Sequence, residues 1–86
     1  MKRSKETFRF TREIGARLRE LRLKAGVTQQ ELAVLMGRQG KGNAFLVSRF
    51  EGGHIHYPSF GFVADYLRAC RASFTDIADL LNAYTS

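Results

Sequence analysis

The side chains best equipped for chemistry in this 86-residue sequence cluster in one stretch, and they are donors rather than catalysts. Gln39, Lys41, Asn43, Ser48 and Arg49 fall within residues 39–49, together with Ala44 and Phe45. An arginine or lysine can pair with the O6 and N7 acceptors of a guanine edge. An asparagine or glutamine can pair with an adenine edge, and an apolar ring or methyl can touch the methyl group of thymine. Enzymatic patterns are missing. Gly40-Lys41-Gly42 follows no strand and lacks the Lys-Ser/Thr pair of a phosphate-cradling loop, and there is no nucleophile elbow, so no catalysis is expected. His54 and His56 lie two apart with no third ligand nearby, too few for a metal site, although one of them or Tyr57 could donate to a phosphate. Cys70 is the only cysteine, which rules out an internal disulfide and suits a reducing cytoplasm. Neither a cofactor nor a metal is expected.

The charge is unevenly spread. Residues 1–49 carry 12 of the 14 Lys and Arg against four Glu, whereas residues 50–86 carry two cations against four acids. A basic half on a small domain points to a polyanion, because neutralised phosphates release their counterions. Composition by itself does not separate DNA from RNA or an acidic protein. At this length one compact core is the expectation. The sequence has no apolar run suited to a signal peptide or a membrane span, so a cytoplasmic protein is expected. Residues 1–10, with Lys2, Arg3 and Lys5, are polar and basic enough to form a flexible arm, and residues 11–86 form the folded domain.

The elements that must position these residues are helices, since apolar spacing is helical throughout and strand signals are weak. Ile14, Leu18, Leu21 and Ala25 form one stripe, with Thr11 as N-cap and Gly26 as stop. Thr28 and Glu31 form a T-x-x-E capping box, with Val27 and Leu32 spaced as a hydrophobic staple, and Leu32, Ala33 and Met36 are the buried side of a second helix ending at Gly37. After a glycine-rich turn, Val47 and Phe50 give a third helix its inner side and Phe45, Ser48 and Arg49 its outer side. Ser59 caps a fourth helix carrying Val63, Tyr66, Leu67 and Cys70. Ser73, boxed by Asp76, starts a fifth carrying Ile77, Leu80, Leu81 and Tyr84.

The run from Arg22 through Ala25-Gly26-Val27-Thr28-Gln29-Gln30-Glu31-Leu32-Ala33 and Met36-Gly37, followed by Val47-Ser48-Arg49-Phe50-Glu51-Gly52-Gly53 and Pro58-Ser59, resembles the XRE and Cro/C1-type helix-turn-helix family. The resemblance spans Ile14 to Leu81. It implies an all-α, five-helix lambda-repressor-like DNA-binding domain. The spacing from Gly37 to Glu51 exceeds the family's usual one by about four residues, so the turn between helices 2 and 3 is enlarged.

By this resemblance the third helix, at about 43–51, reads the major groove of double-stranded DNA, and the protein is a sequence-specific binder and transcriptional regulator. Gln29, first in helix 2, would grip a phosphate. Counting back from Glu51, the reading positions are Asn43, Ala44 and Phe45. Counting forward from Gly37, they are Arg38, Gln39 and Lys41, and both alignments stay open. Phe45 is equally suited to packing against a neighbour or to facing the groove. Ser48 suits a phosphate and Arg49 a guanine. Arg22 and Glu51 match positions that pair across helices 1 and 3, which orients the reading helix. A homodimer on two half-sites is implied, and the apolar residues of helix 5 call for a protein contact in any case. The alternative is an antitoxin or adaptor that uses the same fold mainly to hold another protein.

Overall fold

In a computed structural model, the described residues are 4–37, 43–55 and 58–85. They form α1 (Ser4–Ala25), α2 (Gln29–Leu35), α3 (Asn43–Glu51), α4 (Phe60–Ala69), a short 3-10 turn (Phe74–Ile77) and α5 (Ala78–Thr85). No strand occurs among the described residues. The architecture is the all-α, five-helix one that the spacing implies. Residues 38–42, the centre of the enlarged turn, lie outside the described residues.

Helix α1 starts at Ser4, not after a cap at Thr11. No glycine or proline separates the two positions, and extending an existing helix costs far less than starting one. Thr11 is therefore an interior residue of α1 and is fully buried. Residues 4–10, expected as part of an arm, have helical backbone. At the other end, Gly26 takes φ +77°. There the Gly26 N–H donates to the Leu23 carbonyl and the Val27 N–H to the Arg22 carbonyl, which is the paired closure of a Schellman turn. Ala25, expected in the apolar stripe, is exposed because this closing turn has already left the core.

Helix α2 has its full capping box: the Glu31 N–H donates to Thr28 Oγ1 at 3.0 Å and the Thr28 N–H to Glu31 Oε1 at 2.9 Å. Ser59 accepts from the Phe62 N–H at 3.0 Å and caps α4. The fifth helical segment opens as a 3-10 turn in which the Ser73 N–H donates to the Asp76 carboxylate at 2.9 Å, and only from Ala78 does it become α-helical. The core is built from Ile14, Leu18, Leu32, Ala33, Val47, Phe50, Phe62, Val63, Tyr66, Leu67, Cys70 and Ile77, with Met36 at its margin. Phe50 stands edge-on to both Phe62 and Tyr66, with ring centroids 5.0 Å and 6.0 Å away.

Helix α3 lies against both α1 and α2, and two glycines allow that approach. A Cβ on Gly15 would lie 2.4 Å from the Phe50 carbonyl oxygen and 2.8 Å from that of Glu51, so α1 and α3 cross where only hydrogen fits. Gly53 closes α3 at φ +80°, and its own Cβ would meet the Arg12 backbone at 2.9 Å. An isolated glycine inside the helical pattern of α1 is the sign of this crossing that the sequence offers.

Candidate nucleic-acid interface

The position of α3 is set by the carboxylate at its last residue. Glu51 is buried, and its oxygens receive four donors. Arg22 Nε reaches Oε2 at 2.6 Å and Arg22 Nη2 reaches Oε1 at 3.1 Å, a two-pronged ion pair whose side chains are 7% and 3% exposed. Gln29 Nε2 donates to Oε1 at 3.0 Å, and the Tyr66 hydroxyl donates to Oε2. The Tyr66 oxygen also lies 3.1 Å from the Leu18 carbonyl. With one proton to give, the hydroxyl serves the charged acceptor. Arg22 Nη1 donates to the Val27 carbonyl at 2.9 Å. One carboxylate thus ties the end of α3 to α1, to the start of α2 and to α4.

Burial alone would push the Glu51 carboxyl upward, but the hydrogen bonds from Arg22, Tyr66 and Gln29 together outweigh it and hold the group below its ordinary value. The Arg22 guanidinium is raised, chiefly by its hydrogen bond to Glu51. Burial first and Glu51 second raise the Tyr66 hydroxyl well above the usual tyrosine range, so it remains a donor. Burial likewise raises the Cys70 thiol, which fits an inert core residue. The ion pair and its neighbours are electrostatically satisfied by one another, which suits a structural role.

With its inner side occupied by Val47 and Phe50, α3 turns Phe45, Ser48 and Arg49 outward, all three exposed. Phe45 is 65% exposed, so of its two expected positions the structure takes the outer one. The Arg49 guanidinium carbon stands 5.8 Å from the centre of the Phe45 ring. Ala44 is half-buried beside them. Asn43 begins the helix, but its side chain, like Gln39 and Lys41 as a whole, lies outside the described residues. His56 and Tyr57 lie outside them as well, while His54 is exposed.

Part of the basic half is consumed internally. Besides Arg22, Arg17 forms a forked pair with Asp79, Nη1 to Oδ1 at 2.8 Å and Nη2 to Oδ2 at 2.9 Å, and donates to the Asp76 carbonyl at 2.9 Å, which fastens α5 to α1. Exposed cations of the described first half are Arg12, Arg19, Lys24 and Arg49. Sequence spacing places Tyr66 in the core without revealing its bond to Glu51. The available sign is a phenol in an otherwise apolar stripe, since a buried hydroxyl seeks a partner.

A family model described as a helix-turn-helix domain matches residues 13–83. No curated protein and no solved structure matches the chain. Among the described residues no helix is long and apolar enough to cross a membrane.

Proposed function

This chain belongs to the helix-turn-helix domain family, and we propose that it is a sequence-specific double-stranded DNA-binding protein of the XRE type, acting in the cytoplasm as a transcriptional regulator. The observation that carries this reading is the division of labour on α3: its inner side and last residue are locked into the core and the Glu51 cluster, while Phe45, Ser48 and Arg49 project together from its outer side. A helix held rigidly from behind and presenting polar and aromatic groups in front suits the major groove.

In this reading Arg49 reads a guanine and Phe45 a thymine methyl. Asn43 and Ala44 lie at the start of the same helix. Gln39 and Lys41, between α2 and α3 in sequence, are proposed as further base contacts, and Ser48 takes a phosphate. Gln29 uses one amide hydrogen on Glu51, and its second is the one proposed to reach a phosphate, which would couple backbone contact to the orientation of α3. Arg22 and Glu51 act structurally. Lys2, Arg3 and Lys5, the basic residues of the proposed N-terminal arm, would add contacts to phosphates. A homodimer is proposed through the α4–α5 side, where Phe60 is 75% exposed and stacks on Phe74, and where no residue of α5 is fully buried.

The adaptor reading is favoured by one observation, the exposed Val34 and Leu35 on α2, which with Val27 line a shallow apolar groove. Selection of bound sites from random duplex DNA, with a salt titration and the mass of the complex, separates the two. The expected result is an enriched site with two half-sites about 34 Å apart and affinity falling steeply with salt. Arg49→Ala should weaken the selected site far more than random DNA. No enrichment at low salt would refute the proposal in favour of the adaptor.

A further inference from the structure

Phe45 and Arg49 are four residues apart on α3, one turn along the same outer stripe, and the guanidinium leans back over the ring at 5.8 Å from its centre. Both are exposed. Such a contact in water is weak, but it biases the arginine toward the ring and so lowers in part the rotamer freedom that would be lost on binding. It also determines where the donors of the fork lie relative to the ring. Along the helix axis four residues rise about 6 Å. At 5.8 Å from the ring centre the guanidinium stays within reach of a base neighbouring the one that the ring would cover, since successive base pairs lie about 3.4 Å apart.

Resting on the DNA-binding reading, we propose that Phe45 and Arg49 act as one reading unit for a 5-methyl pyrimidine next to a guanine: the ring covers the C5-methyl group while the fork that it steadies takes O6 and N7 of the adjacent guanine. The pyrimidine is thymine in ordinary DNA. Because the ring recognises the methyl and not the Watson–Crick edge, 5-methylcytosine presents the same feature, and the unit therefore responds to cytosine methylation beside a guanine. Ser48, a hydroxyl on the same face, has one proton to donate and cannot take O6 and N7 together.

The test uses the whole chain and the duplex enriched by selection, with single-base replacements at each position in turn. At one position, deoxyuridine in place of thymidine should weaken binding about fourfold, the worth of one buried methyl group. At that position 5-methylcytosine should bind about fourfold tighter than cytosine. Replacing the neighbouring guanine by 7-deazaguanine should weaken the wild type. Phe45→Ala, at an exposed position and expected to fold normally by circular dichroism, should lose the methyl preference and about two- to fivefold of the sensitivity to 7-deazaguanine, because the arginine is no longer steadied. Indifference of the wild type to the methyl at every position overturns the inference while leaving DNA binding intact. So does a Phe45→Ala variant that keeps the methyl preference, or a methyl effect away from any guanine the protein reads. Absence of binding to any duplex instead removes the DNA-binding reading on which the inference rests.

Discussion

Replacing Arg22 and Glu51 singly and together tests whether the carboxylate cluster holds α3 in place. Arg22→Met keeps the aliphatic stem but leaves the buried Glu51 carboxylate with only Tyr66 and Gln29 as donors. Glu51→Leu strands the Arg22 guanidinium at a site where its side chain is 7% exposed. Each single change leaves an uncompensated buried charge, and each should cost about 3–5 kcal/mol. Against a total of about 4–13 kcal/mol for a chain of this length, either change removes a large share of stability. The double variant is different. Without Glu51, the Tyr66 hydroxyl can turn to the Leu18 carbonyl at 3.1 Å, Gln29 is half-exposed and can reach water, and only the Val27 carbonyl loses a partner outright. Its cost should be about 1–2 kcal/mol, well below the sum of the singles. Urea unfolding followed by circular dichroism at pH 7 supplies all four corners of the cycle. The pH dependence has a definite sign. Because the folded Glu51 carboxyl sits below its ordinary 4.5, the unfolded state binds more protons as acid is added. The contribution of the cluster is therefore complete above that pH and is lost as pH falls through the folded value. The gap between wild type and Arg22→Met should narrow in acid accordingly. Single variants that each cost less than about 1 kcal/mol and simply add would mean that the pair behaves as a solvated surface contact, and that the carboxylate is not what holds α3 in place.

Three further outcomes follow from backbone geometry. Gly15→Ala puts a Cβ 2.4 Å from the Phe50 carbonyl oxygen, so it should destabilise by about 1–3 kcal/mol in spite of alanine's better helix propensity, and a variant as stable as wild type would contradict the tight α1–α3 crossing. Arg71 occupies a left-handed conformation at φ 58° in the turn after α4, where its N–H donates to the Arg68 carbonyl. Arg71→Gly should raise stability by about 0.5–1 kcal/mol in thermal melts, the relief of left-handed strain exceeding the added chain entropy of glycine. Thr28→Ala removes the side-chain acceptor for the Glu31 N–H and should cost about 1 kcal/mol by urea unfolding, with Thr28→Ser restoring most of it.

The residues of this chain by themselves determine where most helices lie and which sides face inward. Those features depend on local spacing and on caps: the Thr28–Glu31 box, Ser59 before α4, and Val47 with Phe50 on the inner side of α3 are all properties of neighbours in sequence. The start of α1 departs from the cap expected at Thr11 because a threonine is an adequate cap only where a helix has reason to begin, and residues 4–10 give it none to stop. Pairing of Arg22 with Glu51 is legible only through family resemblance, since the two lie 29 positions apart. Tertiary structure decided what no local pattern encodes. It drew Gln29 and Tyr66 onto the same carboxylate, consumed Arg17 on Asp79, and laid the Arg49 guanidinium over the outward Phe45 ring. A buried charge must gather its donors from whichever helices surround it, and an aromatic ring one turn from an arginine faces solvent only if the opposite side of its helix is already occupied.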